Sequence, residues 1–332
     1  MIFFSTFKPH PPTSSCLVIV ILFLVSIFTY IPVIETRPSD QNLLDAATYI
    51  KDRYDPRIGL VSESEDLGSN VPDGTPCYRT FWVYSDNLWA SYALKPFYPE
   101  IAENISRSMI PYIAEYDKSQ LFEVVLGNKI PTPIHAKSNL KIATITFDDT
   151  DYTLWLDRHK PEDGGIFEDA DEYADLAFYL SLNYYLSGDM TASEEWFRIG
   201  EAMWSEYGFF DKAANETGLY QNYKLGLYLF SVDATGFNST IYRSVENVAW
   251  SYQKENGGIA AQSHFNGTIY GTANVETTSA LLLAYNEETI GKFHSQILVF
   301  MLIIVIVILV AVIIFVFTLV RRIYSKPFLS RE

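Results

Sequence analysis

The chain has 332 residues, 48% of them hydrophobic and 15% aromatic, with 40 acidic side chains against 24 basic ones. That length is enough for one large domain with a substantial core, and the excess of acid repels nucleic acid and other polyanions, so nucleic acid is excluded as a partner. Of the two cysteines, Cys16 falls in an apolar N-terminal segment and Cys77 stands alone beyond it, which excludes a disulfide framework.

Residues 16–34 carry no charge and follow Lys8. They read as an N-terminal transmembrane anchor or a signal peptide. The stretch is longer than a typical signal core of about 7–15 residues and has no small-x-small cleavage pattern, so an uncleaved anchor with a cytoplasmic tail at 1–15 is expected. Residues 297–320 are again free of charge, long enough to cross a hydrocarbon core of about 30 Å at about 1.5 Å per residue. Arg321, Arg322 and Lys326 follow, and the positive-inside rule keeps this 321–332 tail in the cytoplasm. Localisation at the cell membrane is therefore expected, with both termini cytoplasmic if the N-terminal segment stays uncleaved, and with residues 38–290 forming an extracytoplasmic domain. Setting the tails aside leaves 19 basic side chains against 39 acidic ones in the middle. Four sequons, at Asn104, Asn215, Asn238 and Asn266, all lie there, as glycosylation outside the cytoplasm requires.

Within the domain two kinds of helix alternate. One-faced stripes run through Leu43, Ala47, Ile50 and Tyr54; through Ile101, Ile105, Met109, Tyr112, Ile113 and Tyr116; through Trp196, Ile199, Met203, Trp204 and Tyr207; and through Ile241, Val245, Val248, Ala249 and Tyr252. Segments 87–94, 174–186, 220–232 and 275–285 are instead apolar or small on nearly every side, and a helix of that kind must be surrounded by protein. Between the members of each pair stand Gly59-Leu60-Val61, Gly165-Ile166-Phe167, Gly208-Phe209-Phe210 and Gly258-Ile259-Ala260, a helix stop followed by an apolar plug. The 43 and 50 residues from Gly165 to Gly208 to Gly258 suit a helical-hairpin repeat. The doubled interval before Gly165 holds apolar, β-branched runs at 121–126, 141–147 and 152–156, which predict strands of a small β insertion over about 120–158. The pattern predicts a mainly α domain of about four outer and inner helix pairs, flanked by two transmembrane helices.

Tyr84-Ser85-Asp86-Asn87-Leu88-Trp89-Ala90, Asn256-Gly257-Gly258-Ile259 and Ala273-Asn274-Val275-Glu276-Thr277-Thr278 give residues 40–288 a resemblance to the α/α-toroid superfamily, the architecture of six-hairpin glycosidases and of terpenoid cyclase domains. About four hairpins stand where a closed toroid of that type has six. The resemblance implies a carbohydrate-active domain, most plausibly glycoside hydrolase-like, or else a noncatalytic module that binds glycan or a surface protein on the same scaffold.

Acids gather where inner helices begin: Asp86 at the first, Asp169, Asp171, Glu172 and Asp175 at the second, Glu276 at the last. Similar toroids place catalytic carboxylates on this rim, and Asp86, Asp171, Glu172 and Glu276 are the candidates for dividing acid and base work. Such acids also cap free amides and oppose the helix dipole, a structural role that competes with the catalytic one. Trp82, Tyr84, Trp89, Tyr220 and Tyr270 lie beside the same starts and are candidates for stacking on sugar faces, as are Trp155 and Tyr223, although aromatic residues are as often core. No cofactor is expected. Asp148, Asp149 and Asp151 form an acidic turn that offers oxygen ligands to Ca²⁺, but without the glycine and terminal glutamate of an EF-hand loop it reads as a solvated turn. His135, His159 and His264 lack metalloprotease spacing, so no metal site is assigned. The longer connections lie between outer and inner helices, so the rim is expected at the membrane-distal end, with both domain ends at the other.

Overall fold

The computed structural model describes residues 38–64, 81–112, 120–136, 138–159 and 164–324; the tail 1–15, the expected anchor at 16–34 and Cys77 lie outside them. The chain divides into two units, Met1–Ser39 and Asp40–Glu332, and every described helix and strand belongs to the second. In chain order the helices are α1 (Asp40–Asp52), α2 (Tyr84–Ala93), α3 (Pro99–Met109), α4 (Ala174–Ser187), α5 (Met190–Ala202), α6 (Lys212–Thr217), α7 (Tyr223–Thr235), α8 (Tyr242–Ser251), α9 (Val275–Leu283) and α10 (Glu287–Tyr324).

Local signals account for several helix ends. Asp189, Asp211 and Asn274 cap α5, α6 and α9 by accepting the amides of Ala192, Ala214 and Thr277 at 3.0–3.1 Å. Gly188 stops α4 in the left-handed conformation that a side chain would resist. Helices α1, α3, α5 and α8 bury one stripe each, whereas α2, α4, α7 and α9 are buried on nearly all sides.

Packing follows that division. Helix α2 lies against α9, α9 against α7, and α7 against α4. The remaining seam, between α4 and α2, holds a short 3₁₀ helix, Leu121–Leu126. Asn183 of α4 clamps the segment after it through the Ile130 amide and carbonyl, and Trp89 of α2 donates to the Phe122 carbonyl at 3.1 Å. Outside this set, α3 packs on α2, α5 on α4 and α8 on α7, while α1, the first of the described helices, packs on α9, the last inner one. Backbones approach closely where α7 crosses α9: a Cβ on Gly226 would stand 2.5 Å from the Leu281 amide nitrogen.

Small β elements carry the outer-to-inner connections. Strands β1 (Tyr54–Asp55) and β2 (Leu60–Val61) pair after α1. Strand β3 (Phe81–Val83) runs parallel to β5 (Thr150–Arg158), which is antiparallel to β4 (Ser138–Phe147). After α5 come β6 (Trp204–Ser205) and β7 (Gly208–Phe209), and a fourth sheet joins β8 (Tyr220–Gln221), β9 (Ala260–Ser263) and β10 (Ile269–Ala273). Of the apolar pairs that follow the repeated glycines, Leu60, Val61, Phe209, Ile259 and Ala260 are buried, while Ile166 and Phe210 are exposed.

Three expectations need correction. Residues 121–126 are not a strand: six consecutive apolar and acidic residues, all buried, are compatible with either structure, and Gly127 in the left-handed region closes them as a 3₁₀ turn. The third inner helix begins at Tyr223 rather than Tyr220, because Tyr220 and Gln221 pair with Ser263 and Gln262. The apolar C-terminal segment is not a separate helix, since α10 already starts at Glu287.

The root of α10 is bound to the C-terminal ends of the inner helices. Asn286 donates to the Tyr92 carbonyl at 2.8 Å, Glu288 pairs with Lys95 at 2.6 Å, and His294 meets the Asp233 carbonyl at 3.0 Å. Phe293 is fully buried between the rings of Tyr185 and Phe230. Helix α1 does not begin at that root: its first turn is bonded to Gln253, on the connection from α8 to β9. Among the described residues no helix is long and apolar enough to cross a membrane. The described side chains of α10 beyond its root run only over 305–318, and all of them are exposed.

Candidate functional site

The N-terminal ends of the inner helices converge on one cavity of about 380 Å³. Helix α2 contributes Asp86 and Trp89, α4 contributes Asp175 and Tyr179, α7 contributes Tyr223 and Lys224, and α9 contributes Glu276. Strand β5 adds Asp157, and His159 follows it, held by its amide on Gln120 and by its ring on the His135 carbonyl. Phe122, Phe167 and Tyr173 complete an aromatic wall.

Lys224 organises one side. Only 2% exposed, it pairs with Asp175 at 3.2 Å and, more closely, with Asp211. Asp211 also receives the amides of Ala174 and Ala214, so one carboxylate fixes the starts of α4, α6 and α7 together. Burial works against the Lys224 charge, but Asp175 and Asp211 outweigh it and raise its pKa above the usual lysine value. Burial likewise lifts Asp175, yet the Lys224 charge and the Tyr223 hydroxyl, donating at 2.6 Å, hold it below the usual carboxylate range. Tyr179 and Tyr223 are pushed far up by burial and then by the charges of Asp175 and Glu276, so both stay protonated hydrogen-bond donors.

Behind Glu276 lies a further acid. Glu63 is 6% exposed; its carbonyl accepts the Val275 amide at 2.8 Å and its Oε1 accepts Asn274 Nδ2 at 2.7 Å. Its Oε2 has no hydrogen-bond partner among the described residues. Burial, then the charge of Glu276, pushes its pKa up to about 8, with the Asn274 amide pulling the other way. A carboxyl at neutral pH that keeps its proton next to one lining the cavity is the kind of pairing from which acid and base roles separate.

The structure brings Asp86 and Glu276 to one cavity, with Trp89 in its wall. Asp171 and Glu172 are elsewhere: they sit on a 3₁₀ turn, Ala170–Glu172, one step before α4, and Glu172 pairs with Lys212 at 3.1 Å. Trp82 and Tyr84 are core residues, Trp82 stacked on Tyr152 with ring centroids 5.0 Å apart. Tyr220 is buried and donates to Ser205 at 2.9 Å, while Tyr270 is exposed on β10, edge-on to His264. Trp155, on β5, is buried too. Asp148 and Asp149 make the two-residue turn between β4 and β5, both with positive φ, and Asp151 accepts from Thr146 at 2.6 Å. Among the described residues no group of three or more His, Cys, Asp or Glu side chains is arranged to hold a metal. Asn215, Asn238 and Asn266 are exposed and Asn104 is half-buried.

Sequence reasoning missed Asp157, Glu63, Tyr179 and Lys224. Lys224 had a visible signal, being the one charged residue between 219 and 232. Comparison with family models, with curated proteins and with solved structures returns no match.

Proposed function

We propose that this is a membrane-anchored, extracytoplasmic carbohydrate-active domain, built as a small α/α-toroid-like ring of four helix pairs, and that the cavity at its inner-helix starts cleaves a glycosidic bond. The observation that carries the reading is the meeting of Asp86, Asp157 and Glu276, from three separate elements, in one cavity with aromatic walls. Glycoside cleavage needs one carboxylic acid to protonate the leaving oxygen and one carboxylate to stabilise or attack the oxocarbenium-like centre from the other side. Carboxylates on different helices can flank a sugar in that way, and flat rings such as Trp89 and Tyr173 suit its apolar faces. Tyr179, locked as a neutral donor, is placed to hold a sugar hydroxyl, Tyr223 has its proton on Asp175 and offers only its oxygen, and Lys224 keeps Asp175 ionised without offering its own charge to solvent.

Membrane attachment through α10 is supported by its exposed apolar side chains, Val305 to Phe317, and by the charge-free sequence that continues on both sides of them. The root of α10 is bound to the C-terminal ends of the inner helices and the cavity is at their N-terminal ends, so the cavity would face away from the bilayer.

The test is a glycan-binding and hydrolysis screen on the full chain in detergent, run beside Glu276→Gln and Asp86→Asn. Hydrolysis lost in both variants with glycan binding retained supports an enzyme. Binding without turnover by the wild type makes the domain a noncatalytic glycan-binding module, and neither binding nor turnover refutes the carbohydrate reading.

A further inference from the structure

Beside the main cavity lies a second, shallower one of about 350 Å³, lined by Glu172, Met203, Phe210, Asp211, Lys212 and Asn215. Its apolar wall is exposed to an unusual degree. Phe210 is 46% exposed, and Phe265, 41% exposed, stands edge-on to it with ring centroids 5.3 Å apart. Two adjoining phenyl rings facing solvent on an acidic surface are an uncovered apolar patch. Both rings adjoin sequons: Asn215, exposed and in the lining itself, opens Asn215-Glu216-Thr217, and Phe265 directly precedes Asn266-Gly267-Thr268.

We propose that the second cavity is the seat of the chain's own N-linked glycan on Asn215, with the proximal N-acetylglucosamine laid on the Phe210 ring. The inference rests on the extracytoplasmic placement of the domain and is independent of any catalysis by the main cavity. A pyranose presents a face of C–H groups that suits an aromatic ring, and its hydroxyl and acetamide groups need polar neighbours. The cavity supplies both, with Phe210 and Met203 on the apolar side and the Lys212 and Glu172 pair on the other. Because Asn215 lines the cavity, the first sugar is tethered at its binding site and the effective concentration is high, so a weak stacking contact is enough to hold it. Asn238, exposed on the turn between α7 and α8, lines neither cavity and serves as an internal control.

The experiment expresses the full chain in a glycosylating host, maps sequon occupancy by mass spectrometry, and measures thermal unfolding in detergent before and after enzymatic deglycosylation. It compares wild type, Asn215→Gln, Asn238→Gln and Phe210→Ala. Expected is an occupied Asn215, with its removal lowering Tm by about 2–4 °C, and no such drop once Phe210 is alanine or when Asn238 alone is changed. An Asn215 left bare while other sequons are occupied overturns the proposal, as does an equal drop with and without Phe210. No glycan on any sequon overturns the extracytoplasmic reading along with it.

Discussion

Glu63→Gln is the substitution whose effect can be worked most directly from the structure. The wild-type carboxyl is fully enclosed, and burial followed by the charge of Glu276 raises its pKa from 4.5 to about 8. The fold therefore prefers the protonated form. Its contribution to stability is fully present below about pH 4.5 and is lost as pH rises through 8, because the unfolded chain gives up the proton more readily than the native one. At about 1.4 kcal/mol for each pKa unit, the penalty is about 3 kcal/mol at pH 7 and about 5 kcal/mol above pH 8. Glutamine keeps the shape and an oxygen for Asn274 Nδ2 but cannot ionise. The variant should match wild type near pH 5 and unfold at a Tm roughly 6–12 °C higher near pH 7. Thermal unfolding of the full chain in detergent between pH 5 and 9, followed by circular dichroism, reads this directly. Parallel pH curves for the two proteins, or a variant less stable at pH 8, would refute the account of Glu63 as a buried, proton-holding carboxyl.

Lys224→Met removes the cation between Asp175 and Asp211 and leaves the buried Asp211 and the half-buried Asp175 without it, a loss of about 3–5 kcal/mol at neutral pH. Since wild-type Asp175 contributes its stability above the ordinary carboxylate range and loses it as pH falls, the gap between variant and wild type should narrow towards pH 4; a gap independent of pH would count against the ion pair. Gly226→Ala should destabilise by about 1–3 kcal/mol or more, because its Cβ meets the α9 backbone, which cannot step aside as a side chain could. A denaturant midpoint unchanged within error would show that α7 and α9 are less tightly packed than described.

The two kinds of helix were legible because burial leaves its mark on composition: a one-sided stripe in α3 and α8, and apolar residues all round in α4 and α7. Asp86 and Glu276 were legible because each sits in the first turn of such a helix. Asp171 and Glu172 show the limit of that logic. They precede Ala174, where α4 begins as expected, and sit on a separate 3₁₀ turn whose direction the helix does not set, so Glu172 meets Lys212 rather than the cavity. Glu63 and Asp157 could not be found locally. Glu63 is placed by Asn274 and Val275, more than two hundred residues away, and Asp157 by the pairing of β5 with β3 and β4. The 3₁₀ turn at Leu121 was hidden for another reason: it is buried on every side, so no periodicity distinguishes it from a strand.

The contact of α1 with α9 has a consequence for the order of assembly. Tyr49 donates to the Ala273 carbonyl and Asn42 is joined to Gln253, so the earliest of the described helices is finished against almost the last. Until residue 283 has emerged from the ribosome, the buried stripe of α1, with Ala46, Ala47 and Ile50, lacks α9, its main helical partner. Contacts this distant along the chain slow folding, since the long loop must close before they reward it. A nascent chain halted before α9 would therefore expose α1 to chaperones and proteases however well α4 and α5 had already paired, and the same seam would be the natural place to open the domain first under load.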